Sequence, residues 1–211
     1  MAIDKTGKVL AQFNVKNGQY KADSTLASLT WLTKVSLDKN LSTLPIYGDG
    51  ELQLDIINDK GYTGTIGMTA RDIEFETALG MQMELSNGQA EVQQTAAKSI
   101  SLYFETNFVG TDGTVKTKKV WLFGVEVSAR SEALDQNTED PTIATVEYGI
   151  TVKGIYLKDT GGETDYIDTT TGNKVKVFKL SSIPTDTGFD TFGDTVPVPT
   201  VKTEEVGGDE T

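Results

Sequence analysis

The 211-residue chain contains neither histidine nor cysteine, which excludes disulfides, thiolate metal sites and the commonest general base. Its net charge of −12 argues against a grip on nucleic-acid phosphates, because that needs clustered lysine and arginine. With no apolar run of about 18 residues and no long apolar leader, neither a membrane span nor an ordinary secretion signal is expected.

Val9, Ala11, Phe13 and Val15 alternate with polar residues, so residues 1–24 read as an N-terminal arm or a first strand. Asn17-Gly18 is a turn signal. Leu29, Trp31, Val35 and Leu37 share one parity and predict a strand over about 27–37. Residues 38–49 carry loop punctuation yet keep Leu41, Leu44, Pro45, Ile46 and Tyr47. Two readings stand: these groups tuck onto the chain's own core, or they contact another subunit. Leu52, Leu54 and Ile56 alternate, Asn58–Gly61 reads as a turn, and Tyr62, Ile66 and Met68 alternate again, which predicts a hairpin.

Thr69 and Asp72 have capping-box spacing, and Gly80 suits a helix C′ position, so a helix is expected over 70–79. Residues 81–97 read as a loop with a turn at Asn87-Gly88. The clearest strand pair follows. Ile100, Leu102, Phe104 and Phe108 form one face of the first strand, with Tyr103 an amphipathic exception. Trp121, Phe123, Val125 and Val127 form one face of the second, across an Asp112-Gly113 turn. An acidic loop over 132–141 precedes a long strand over 142–157, where Gly149 and Gly154 permit a bend. Val175, Val177, Phe178 and Leu180 suggest a last strand or apolar contact. Residues 181–211 carry seven acids and one lysine among Pro, Thr and Gly. They read as an arm or a disordered tail that the folded body, residues 25–180, does without.

Catalytic signals are weak. The carboxylate pairs Glu74/Glu76 and Glu139/Asp140 read as solvated groups rather than a glycosidase pair. The acid-rich stretches 135–140 and 159–168 lack EF-hand spacing, so no metal is assigned. No phosphate-loop frame occurs, no serine has a partner base, and no cofactor is expected. Lys116, Lys118 and Lys119 read as a solvated strand end. Trp121, and with less support Trp31, read as core, against the alternative of a sugar-stacking face.

The order of the pieces resembles a family. A strand leads to a partly apolar loop ending in Pro45-Ile-Tyr-Gly-Asp49, then to Glu51–Ile56 and a short helix ending in Ala78-Leu79-Gly80. After it come the Ile-Ser-Leu-Tyr-Phe-Glu-Thr strand (100–106), the Thr111-Asp-Gly113 turn and Lys119-Val-Trp-Leu-Phe123, and the long 142–157 strand closes the body. Over about residues 25–158 this is similar to the major tail protein, or tail tube protein, of phages with long non-contractile tails. The resemblance implies a mainly β fold: a β-sandwich flanked by one short helix, closing into a shared barrel when six copies form a ring. It implies a structural virion protein, made in the host cytoplasm, with no enzymatic activity. Stacked rings form a tube that meets tape-measure, tail terminator and distal tail proteins. DNA passes through during ejection without specific binding, and there is no membrane span. The apolar loop Leu41–Tyr47 is then a subunit contact. Glu51, Asp55, Glu105, Glu126 and Glu147, on the outward parity of predicted strands, are candidate lumen-facing acids, because a negative wall repels DNA. The rival reading is a monomeric β-sandwich binding module for carbohydrate or a cell surface.

Overall fold

The two-residue alternation that dominates the sequence builds a mainly β protein with one short helix. A computed structural model describes residues 9–133 and 145–202. Its strands are β1 (Val9–Ala22), β2 (Thr25–Ser28), β3 (Leu32–Gly48), β4 (Glu51–Met68), β5 (Gln82–Leu85) and β6 (Gly88–Glu91). They continue with β7 (Ser99–Gly110), β8 (Val115–Ala133), β9 (Thr145–Val152), β10 (Ile155–Tyr156), β11 (Lys176–Val177) and β12 (Lys179–Ser182). The helix α1 (Ile73–Ala78) lies between β4 and β5.

Eight strands form one sheet in the order β2-β1-β7-β8-β9-β4-β3, with β12 paired to β8 off this path. Every pairing in it is antiparallel. The edge strands β2 and β3 are joined only by Leu29, Thr30 and Trp31. Four Cα steps reach about 14 Å at most. The sheet must therefore curl until its two edges face each other at this end. The Leu29 N–H donates to the Gly18 carbonyl of β1 at 2.8 Å. A Cβ at Gly18 would lie 3.0 Å from the Leu29 carbonyl oxygen, so the approach is tighter than a side chain here ordinarily allows.

The main core fills the curl: Leu102 from β7, Leu122, Val125 and Val127 from β8, Tyr148 and Ile150 from β9, Ile66 and Met68 from β4. Helix α1 closes it. Phe75 meets Tyr20 edge-on at 4.9 Å and Tyr148 at 5.6 Å. Six residues cannot hold a helix by propensity, so packing and capping do it. Asp72, not Thr69, is the cap, accepting from the Phe75 N–H at 3.0 Å. That is why the helix starts later than expected. Gly80 follows it with φ 74°.

Other expectations change. The expected turn at Asn58–Gly61 is absent: β4 runs unbroken from Glu51 to Met68. Gly61 has φ 91° and marks a bulge where Lys39 pairs with Tyr62 but Leu41 with Asp59. The expected 38–49 loop is strand, the far part of β3. And Trp121, Phe123, Val125 and Val127 do not share one face. Gly124, φ 62°, switches the alternation. Before it, Trp121 and Phe123 join Tyr103 in a second buried cluster; after it, Val125 and Val127 enter the main core. Gly124 sits where β8 exchanges its neighbour β12 for β9, and Gly154 packs against it, also at positive φ.

The acidic C-terminal stretch is more than a free arm up to residue 202. Ser181 and Ser182 belong to β12, and Phe192 and Val196 cover the second cluster. The Trp121 Nε1 donates to the Phe192 carbonyl at 2.8 Å, and Lys119 Nζ to the carbonyls of Phe189 and Asp190, both at 2.9 Å. Residues 81–97 are not all loop, since β5 and β6 pair across the expected Asn87-Gly88 turn. Residues 134–144, which include most of the expected acidic loop and the start of the long strand, lie outside the described residues, as do 1–8 and 203–211.

Candidate functional site

Beyond Tyr62, which pairs with Val152 of β9, strand β4 pairs among the described residues only with β3. The two run on together to a two-residue turn, where Asp49 and Gly50 both have positive φ, as a tight hairpin requires. At about 3.3 Å per residue the ribbon extends roughly 35 Å past the sheet. Directly opposed pairs are Leu44 with Ile56, Ile46 with Leu54 and Tyr47 with Leu52. Leu44, Ile46, Leu54 and Ile56 share one face by register; Gln53 is the extra residue of a bulge on β4, past which Tyr47 and Leu52 oppose each other. None of them has a layer behind it: each is between 42% and 67% exposed. Leu41 and Ile57 are exposed too; by register they stand on the opposite face, with Pro45. The expectation that Leu41, Leu44, Pro45, Ile46 and Tyr47 tuck onto the chain's own core is therefore overturned. In this chain alone they are uncovered.

Two further strand edges are open among the described residues. β3 pairs only with β4. The β1 backbone outside β7 is paired with β2 only from Gln19 to Ala22. Open edges carry unpaired amides and carbonyls and recruit further strands.

Of the five acids proposed to face a channel, three lie on the sheet and two on the ribbon. Glu126 and Glu147 lie opposite the main core, between Val125 and Val127 and between Val146 and Tyr148. Both are paired: Glu126 with Lys153 at 2.7 Å and Glu147 with Lys34 at 3.2 Å. Glu105 accepts from the Tyr103 hydroxyl and the Asn17 amide, each at 2.8 Å. Burial and this bond to Glu105 push the Tyr103 hydroxyl well above its usual range. Glu51 and Asp55 stand exposed on the ribbon.

Glu74 and Glu76 do not act as a pair. Glu74 is exposed, whereas Glu76 is completely buried, not solvated as its sequence suggests. Its Oε1 accepts from Tyr148 at 2.8 Å and Arg130 Nη1 at 3.0 Å; its Oε2 accepts from Arg71 Nη2 at 2.6 Å. Burial pushes this carboxyl up, but the bonds from Arg71, Tyr148 and Arg130 outweigh it and hold it below the ordinary range. The group ties α1 to β8 and β9. A carboxylate on a helix with arginines elsewhere gave no signal strong enough to find it in the sequence.

Glu139, Asp140 and the stretch 135–140 lie outside the described residues. In the stretch 159–168, Asp165 is held by Lys158 and Lys174 at 2.8 and 2.9 Å, Asp159 bonds Thr164, and Asp168 bonds Thr171. They serve separate turns, and among the described residues no group of three acids gathers as a metal site would. Lys116 pairs with Asp112 at 2.7 Å, which with two bonds from Thr114 brings the Asp112 carboxyl down to about 2. Lys119 is engaged by the C-terminal segment, so the three lysines are not a free strand end. Trp121 is core, as read; Trp31 is not, being 67% exposed.

Among the described residues no helix is long and apolar enough to cross a membrane. The chain matches no protein-family model, and a search of curated proteins finds no match either.

Proposed function

We propose that this chain is a structural subunit that assembles with copies of itself, as a tail tube protein of a long non-contractile phage tail does. The ribbon carries the proposal. Fully covering a large apolar side chain is worth about 1.5–3 kcal/mol, so six roughly half-exposed ones leave about 5–9 kcal/mol unclaimed. That is comparable to the net stability of a whole domain. A chain that displays this in register, on a projecting hairpin, is built to meet a partner. The two open edges favour copies of itself as that partner: a β3 edge meeting the β1 edge of the next copy is a head-to-tail contact, which closes into a ring.

In this reading six subunits form the ring, their sheets join in the barrel of the tail tube fold, and the ribbon reaches the adjoining ring. The tube is part of the virion and conducts DNA without holding it. The surplus of acids keeps like charge near the phosphates. No catalysis is assigned. The tape-measure, terminator and distal tail proteins are the partners such a tube would meet.

The test is negative-stain microscopy of concentrated protein beside the Leu44→Glu/Leu54→Lys variant. The parent is expected to form rings or tubes, and the variant to stay dispersed at an unchanged melting temperature. A parent that stays monomeric at high concentration, alone and with tail-assembly partners, overturns the proposal.

A further inference from the structure

A cleft of about 530 Å³ lies between the bulged middle of β1, the Leu29–Trp31 connection and the C-terminal segment at Gly193 and Asp194. Three irregularities meet there. Trp31, which lines it, has φ 62°, a left-handed conformation that costs a bulky residue of order 1–3 kcal/mol. The same ring is 67% exposed, so packing does not repay that cost. Strand β1 is bulged twice in succession beside the cleft, between Phe13 and Val15 and between Lys16 and Gln19, with Asn17 at φ 51°. And the Oε1 of Gln19, on the cleft wall, is buried with no hydrogen-bond partner, a group that ordinarily finds one.

We propose that this cleft is a binding site for an uncharged saccharide. The chemistry selects that class. An exposed indole offers an apolar platform for the C–H face of a pyranose ring. The acceptor that suits a hydroxyl donor is the Glu105 carboxylate, already oriented by Tyr103 and Asn17. Lys16 supplies a donor. Charge on the walls is balanced, Lys16 and Lys119 against Glu105 and Asp194, so no field selects an ionic ligand. The volume is in the ordinary range for small-molecule sites. The cleft borders the open edge of β1 that the proposed ring contact uses, so the site is one of the free chain.

The strain at Trp31 makes the test decisive. The full chain is titrated with maltotetraose, cellotetraose and chitotetraose, read by saturation-transfer NMR and tryptophan fluorescence. Trp121 is buried but packs on Tyr103 of the cleft wall, so an emission change present in the parent and absent in Trp31→Phe reports Trp31. At least one oligosaccharide is expected to bind saturably. Trp31→Gly should melt higher than the parent, since glycine accepts this backbone, while losing binding at least 100-fold. Trp31→Phe should retain part of it, and Glu105→Gln should lose about 10-fold at an unchanged melting temperature. Binding of none of the three overturns the proposal. So does binding that survives Trp31→Gly, or a Trp31 emission shift that follows protein concentration without sugar, which would make the cleft a contact between copies.

Discussion

Replacing Glu76 by alanine removes the centre of a buried network and leaves Arg71 and Arg130 near each other, with Glu91 still paired to Arg130 but nothing in place of the shared carboxylate. Arg71 and Arg130 both spend bonds on this carboxylate, and Tyr148 spends its hydroxyl. Breaking one partner out of a buried ion pair costs about 3–5 kcal/mol. For a chain of this size each kcal/mol moves the melting temperature by about 2–4 °C, so a fall of roughly 6–20 °C is expected by calorimetry at pH 7. The pH dependence gives a second reading. Glu76 titrates lower in the folded chain than unfolded, so its contribution is complete above about pH 5 and fades as pH falls through the folded value. The gap between parent and variant should therefore shrink at pH 3. A fall of less than about 2 °C at pH 7, or a gap that widens in acid, would refute the account of a dry, charged anchor.

Gly154→Ala puts a Cβ at positive φ and 2.7 Å from the Phe178 ring; backbone strain and overpacking together cost about 2–5 kcal/mol, readable as a melting shift of roughly 4–20 °C. Truncation after Ser182 uncovers Trp121 and Phe123, worth about 3–6 kcal/mol of burial, and should red-shift the tryptophan emission and lower the melting temperature; an unchanged spectrum would mean that residues 183–202 do not cover them.

Where alternation was uninterrupted, the fold was legible. Ser99–Gly110 and its partner strand, the Asp112-Gly113 turn and the Gly80 helix end all came from local pattern, because each depends on neighbours in sequence. What escaped depends on residues far away. Gly124 looks like one more strand position until β12 and β9 are seen competing for the same side of β8. Asn58–Gly61 has the composition of a turn but is held extended by β3 opposite. Glu76 looks solvated because Arg130 and Tyr148 come from other strands. Trp31 carries the parity of a core residue, yet it falls in the three-residue link between β2 and β3, where it is 67% exposed. The ribbon's apolar residues were visible in sequence; their lack of cover was not.

The pairing of β1 with β7 and of β4 with β9 also sets the order in which the chain can organise itself. Those contacts wait for distant segments to be made and brought round, which is slow. The hairpin of β3 and β4 needs only its own turn and closes within microseconds. During synthesis, then, the stickiest surface of the molecule is displayed long before the body it belongs to is finished, and neighbouring nascent chains meet hairpin first.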